Sequence, residues 1–82
     1  MKKEDITIEL KQIIEPYVQN QVAFENMTAE TSFISDLEIN SAHLVDIILD
    51  VEDKFDIRIE NEEMEQMTTV GASIEIIQNK VS

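Results

Sequence analysis

The chain contains 82 residues with one glycine, one proline and no cysteine, so we expect one small domain over residues 1–82 without disulfides or cysteine-based zinc sites. Eighteen acidic residues against six basic ones give a formal net charge of −12. This charge disfavours binding to nucleic acid or to anionic membranes, which need basic patches, and favours a basic protein partner.

The first predicted helix lies in the amino-terminal segment. Glu4 and Asp5 are placed to favour the positive end of its dipole, and Pro16 is expected to stop it. Its apolar residues recur at helical spacing, and they are Ile6, Leu10, Ile13, Ile14 and Tyr17.

A long polar connection follows from Tyr17 to Asn40, where the helical periodicity is lost. Phe33 and Leu37 are the residues expected to attach it to the core. A connection of this length in a small domain usually has a function of its own or contains a short turn of helix.

The second predicted helix runs from Ser41 to Phe55, and Asn40 is expected to cap it. Residues 55–61 alternate between apolar and polar side chains too briefly for a strand, so we interpret them as an extended link. Asn61 is predicted to cap a short third helix that ends near Met67.

Thr68 or Thr69 is predicted to cap the last helix. The apolar residues of this helix recur on one face, and they are Val70, Ile74, Ile77 and Val81. The predicted fold is therefore all-α, a small four-helix bundle with a long first loop and a short third helix.

Two stripes of side chains follow the second helix when each residue advances by about 100°. The first stripe has the width of a core face and consists of Leu44, Ile47, Ile48, Val51 and Phe55. The second mixes aliphatic side chains with carboxylates and consists of Ser41, Ala42, Val45, Asp46, Leu49, Glu52 and Asp53. Two interpretations are open: Val45 and Leu49 widen the core face, or the second stripe is an exposed docking surface with an acidic rim.

Catalysis by Ser41 is disfavoured because the chain has one histidine, His43, and positions i and i+2 of a helix do not face each other. No metal site is expected either. The best window for a calcium loop, from Asp50, has Lys54 and Phe55 where an oxygen ligand and a glycine are needed. No apolar run has the length of a signal peptide or membrane span, so we expect a cytoplasmic protein without membrane insertion.

Four segments together resemble the acyl carrier proteins, from about Ser32 to Ile77. The matching features are Phe33, Asp36, Leu37, Ser41, Val45, "VEDKFDIRI", "ENEE" and "MTTV". The resemblance implies the acyl-carrier type of helical bundle, in which Ser41 is the attachment point for 4′-phosphopantetheine. It also implies a non-catalytic carrier of acyl groups as thioesters, serving fatty acid, lipid or polyketide-type biosynthesis.

The resemblance also implies partners and two sets of contact residues. The partners are a phosphopantetheinyl transferase and acyl-loading or acyl-processing enzymes with basic docking patches, and we expect the carrier to be a monomer. The predicted partner-binding residues are Ala42, Val45, Asp46, Leu49, Glu52, Asp53 and Ile59. The predicted acyl-pocket residues are Leu44, Ile48, Val51, Ile59, Met64 and Met67, in which the flexible methionines suit chains of different length.

The attachment segment departs from the family pattern. The family commonly has Asp-Ser-Leu there, often after a glycine, whereas this chain has Glu38 in place of the glycine and Asn40 and Ala42 around Ser41. These differences favour a specialised carrier. Two alternatives remain open, an aminoacyl or peptidyl carrier and an unmodified acidic helical adaptor.

Overall fold

The computed structural model describes residues 2–81 and contains five α-helices with two short 3₁₀ turns. The α-helices are α1 (Lys3–Ile14), α2 (Gln21–Glu25), α3 (Leu44–Phe55), α4 (Asn61–Gln66) and α5 (Val70–Val81), and the 3₁₀ turns are Glu15–Tyr17 and Ser41–His43. Residues 2–81 form no strand, and the all-α helical bundle is confirmed. None of the helices in this range is long and apolar enough to cross a bilayer.

Helix α1 forms as its periodicity predicts. Ile6, Leu10 and Ile14 are fully buried, and α1 packs against both α3 and α5. The α-helix ends two residues before Pro16, where the chain continues as the turn Glu15–Tyr17. Proline suits the first turn of such an element because its missing N–H has no helical acceptor there.

The long connection contains the short helix α2, which is the turn of helix that its length suggested. Asn20 caps α2, since its Oδ1 accepts a hydrogen bond from the Ala23 amide at 3.2 Å. Phe33 and Leu37 are buried as predicted, and Ile39 is buried with them. The connection is therefore part of the core.

Backbone hydrogen bonds fasten this connection to the start of α5, and we call residues 29–33 with residues 68–71 the clasp. The Phe33 amide donates to the Thr68 carbonyl at 3.2 Å, and the Val70 amide donates to the Thr31 carbonyl at 3.0 Å. The Gly71 amide donates to the Ala29 carbonyl at 2.8 Å. A Cβ atom at Gly71 would lie 2.8 Å from that oxygen, so this close approach requires glycine.

Two helix caps differ in how well the sequence predicts them. Thr69 caps α5, because the Ala72 amide donates to its Oγ1 at 3.2 Å. The prediction that Asn61 caps the third helix is wrong: Asn61 is the first residue of α4, and Glu60 is the cap. Glu60 and Glu63 form a reciprocal capping box that satisfies two amides, which an asparagine one position later cannot do.

Candidate functional site

Ser41 lies on the surface at the start of the 3₁₀ turn that leads into α3. The predicted α-helix from Ser41 therefore begins three residues later, at Leu44. Asn40 is the predicted cap, and its Oδ1 accepts a hydrogen bond from the Ala42 amide at 2.9 Å. The Asn40 carbonyl also accepts a bond from the His43 amide at 2.9 Å, which holds the turn in its tight form.

His43 contacts other groups than Ser41. Its Nδ1 lies 3.8 Å from Asp46 Oδ2, and its ring lies 5.2 Å from the ring of Tyr17, measured between centroids. The imidazole is solvent-exposed. Since Asp46 is three residues on, the pair follows the spacing of helix neighbours that Ser41 and His43 lack.

The backbone turns sharply just before the site. Glu38 has a φ of 56°, in the left-handed region that glycine adopts without strain and that other residues rarely occupy. This is the position at which the acyl carrier pattern, which the sequence resembles, often has glycine. A glutamate there costs about 1 kcal/mol of backbone strain.

We predict that Glu38→Gly stabilises the domain by up to about 1 kcal/mol, because it removes strain in the folded state and one of many like charges. Chemical denaturation of both proteins measures the difference. Glu38→Gln is the matched control, since it removes the charge but keeps the strained backbone. Equal stability of the two variants would show that charge alone accounts for the gain.

An apolar cavity of about 200 Å³ opens beside Ser41. Helices α1, α3, α4 and α5 and the long connection all contribute to its wall. Its lining residues are Leu10, Phe33, Ser41, Leu44, Val45, Ile47, Ile48, Met64, Met67 and Ser73. A space of this kind, which Ser41 borders, can accept an aliphatic group.

Four predicted acyl-pocket residues line this cavity, namely Leu44, Ile48, Met64 and Met67. The other two, Val51 and Ile59, are not among its lining residues. Val51 is fully buried and lies outside the lining. Ile59 lines an outer groove along α3 instead, and its amide donates to Glu52 Oε2 at 2.7 Å.

Ser41 and Val45 line the cavity but were predicted for other roles, and four further lining residues had no predicted site role, namely Leu10, Phe33, Ile47 and Ser73. Leu10, Phe33 and Ile47 were predicted to be core residues, and only the fold shows that they line a cavity. Ser73 carried no signal, since a single serine in an apolar helix fits no site pattern. It is nevertheless completely buried.

The second stripe of α3 is exposed. Val45 is 54% exposed and Leu49 is 56% exposed, so the interpretation that they widen the core face is wrong for this chain. Ala42, Asp46 and Asp53 are exposed beside them. We call these five residues the docking face.

Two other predicted partner-binding residues have structural roles. The carboxylate of Glu52 is half-buried and accepts the hydrogen bond from the Ile59 amide. The Ile59 side chain is only 7% exposed. The bond between them holds the link after α3 in place, and Asp46 and Asp53 are the exposed carboxylates of the second stripe.

Helix α4, which forms one wall of the cavity, is tied to α5 by an ion pair. Lys80 Nζ lies 2.8 Å from Glu63 Oε1. The hydrogen bond from Lys80, followed by the bond from the Glu60 amide, lowers the pKa of Glu63 below its ordinary value. A carboxylate with a lowered pKa contributes stability at neutral pH that is lost as the pH falls through that pKa.

Comparisons with known proteins agree on one family. A family model described as "Phosphopantetheine attachment site" matches residues 20–77. The chain is 36% identical over 81 residues to "Acyl carrier protein" of Exiguobacterium sp. (strain ATCC BAA-1283 / AT1b), covering 99% of this chain and 100% of that protein. It is 38% identical over 77 residues to "Acyl carrier protein" of Buchnera aphidicola subsp. Acyrthosiphon pisum (strain 5A), covering 94% of each.

A solved structure is similar over nearly the whole chain. It is that of the acyl carrier protein from Enterococcus faecalis, which has a TM-score of 0.80 and 25% sequence identity. The match covers 98% of this chain and 99% of that one. The fold of this chain therefore has a counterpart of known structure.

Proposed function

This chain belongs to the acyl carrier protein family, and from that membership we propose that its 4′-phosphopantetheine arm is attached to Ser41. Carriers of this family hold acyl groups as thioesters on the arm, and this chain has that role. One observation supports Ser41 above all: it is an exposed hydroxyl at the start of a helical turn and also borders the apolar cavity. No other serine has both properties among the described residues.

The surroundings of Ser41 suit the attached group. The amino end of a helical segment favours a phosphodiester anion, because its amides and the helix dipole carry partial positive charge. Asn40 already accepts the Ala42 amide, so an incoming phosphate would share this end of the turn with the Asn40 side chain. The arm supplies a terminal thiol, and the apolar cavity beside Ser41 is placed to receive the chain that the thiol carries.

Acyl carrier proteins work with a phosphopantetheinyl transferase and with biosynthetic enzymes. We infer that these partners bring basic patches to the docking face. Exposed Val45 and Leu49 supply apolar contact area, while Asp46 and Asp53 attract a basic surface. The net charge of −12 makes two copies repel each other, which supports a monomer.

We further propose that the carrier is specialised. Asn40 and Ala42 give the attachment turn a different charge and shape from the Asp-Ser-Leu pattern, and both residues are direct neighbours of Ser41. An acyl cargo is favoured over an aminoacyl or peptidyl cargo because the cavity wall is apolar. An unmodified adaptor would use the docking face but would have no need of the cavity.

The intact mass of the protein purified from its native source tests this proposal. We expect a mass increase of one phosphopantetheine, with part of the sample also carrying an acyl group. Hydroxylamine should remove the acyl group and leave the arm, because it cleaves thioesters. An unmodified native protein would contradict the carrier function and favour the adaptor.

A further inference from the structure

We propose that Ser73 makes the cavity selective for acyl chains that carry a hydroxyl group. The inference rests on the proposed function, since it assumes that the chain attached through Ser41 enters this cavity. It concerns which acyl chain the carrier protects best from reagents in the solvent.

Ser73 is a polar residue in an otherwise apolar interior. It lies on α5, is 0% exposed and lines the same cavity as Ser41. Apart from Ser41, the other lining residues are apolar. A buried hydroxyl in such a wall is the single inner group that can recognise a polar atom on the cargo.

The hydrogen of this hydroxyl is already used. Ser73 Oγ donates to the Thr69 carbonyl at 3.1 Å, one helical turn back. A serine hydroxyl also has two acceptor positions, and within residues 2–81 no protein group donates to Ser73 Oγ. The oxygen therefore has acceptor capacity that no described protein group uses.

An acceptor discriminates between cargo types. A hydroxyl on the chain can donate to Ser73 Oγ and so keeps a hydrogen bond when it leaves water. A plain methylene chain offers no donor. A ketone can only accept, so the Ser73 hydroxyl would have to break its bond to the Thr69 carbonyl before it could donate to the ketone. The Thr69 carbonyl would still accept the bond from the Ser73 amide at 3.1 Å. The contribution of Ser73 to shielding is therefore expected to be largest for a hydroxyl, smaller for a ketone and absent for an unsubstituted chain.

The size of the cavity sets the length of the test cargo. About 200 Å³ holds roughly seven groups of the size of a water molecule, each of which takes about 30 Å³ in a liquid. Octanoyl chains therefore suit the test. A hydroxyl on the third, fifth or seventh carbon samples different depths, and an oxo group on the same carbons gives the comparison.

The experiment loads each chain from its coenzyme A thioester onto wild type and Ser73→Ala with a promiscuous phosphopantetheinyl transferase. The rate of thioester cleavage by hydroxylamine is then measured. Dividing the rate in Ser73→Ala by the rate in wild type cancels the intrinsic reactivity of each cargo. Ser35→Ala is the matched control, since Ser35 is exposed in the long connection.

We expect a ratio near one for octanoyl and about fivefold for at least one hydroxyoctanoyl isomer, the factor that one net hydrogen bond provides. Ser35→Ala should give ratios near one for every cargo. A ratio that is the same for all cargoes would overturn the inference, because a purely structural role of Ser73 would affect every chain equally. Failure of wild type to gain any chain at Ser41, also with the transferase of its native source, would instead contradict the proposed function.

Discussion

Ser41→Ala is expected to abolish attachment of the phosphopantetheine arm while the domain stays folded. Ser41 is exposed at the surface, so its replacement by alanine removes no buried contact and should change stability by no more than about 0.5 kcal/mol. Incubation with coenzyme A and a competent transferase, followed by intact mass, measures the loss. Helical circular dichroism shows that the variant is folded.

Two further variants make this result specific. Ser35→Ala should accept the arm as wild type does, because that serine lies outside the attachment turn. Asn40→Asp combined with Ala42→Leu restores the common family pattern, and we expect a general transferase to modify it faster than wild type. An arm found on Ser35 or Ser73 would contradict the assignment of Ser41.

Asp46→Lys with Asp53→Lys is expected to slow association with a basic partner enzyme by about tenfold or more at low salt, because rim charges steer the encounter. Stability should change by no more than about 0.5 kcal/mol, since both carboxylates are exposed. Stopped-flow association with the transferase over a salt series measures the effect. The salt dependence should become weaker in the variant.

Glu25→Lys with Glu30→Lys is the matched control, because it makes the same change in net charge at exposed positions of the long connection. A control that slows association as much as the rim variant would show that total charge matters and position does not. Leu49→Ala should weaken the complex with little effect on folding. Val51→Ala, in contrast, removes fully buried methyl groups and should destabilise the domain.

The long helices could be predicted because the apolar residues that recur at helical spacing are the ones that the fold buries. Helix α3 shows this best, since one stripe is buried and the other, with Val45 and Leu49, is exposed. Helix α2 has five residues, which is too short for a periodic signal. Its existence could be suggested only from the length of the connection.

The candidate site divides in the same way. Ser41 and the docking face lie on one continuous segment, so their spacing along a helix was enough to bring them together. The cavity joins Leu10, Phe33 and Ser73, which are far apart in the chain and meet only through packing. No pattern of neighbours predicts such a contact, and the same is true of the Glu52 bond to the Ile59 amide.

The clasp divides the chain into a closed ring and its two flanking ends. Residues 34–67, which include the Ser41 turn, α3 and α4, lie between its two hydrogen-bonded halves. The hydrogen bonds of the clasp hold the two ends of this segment together. Helix α4 can therefore move away from the cavity without separating the backbone of Phe33 from that of Thr68. Amide hydrogen exchange should therefore be slower at Phe33 and Val70 than at Met64. Cargo could then enter and leave through a local opening while the domain as a whole remains folded.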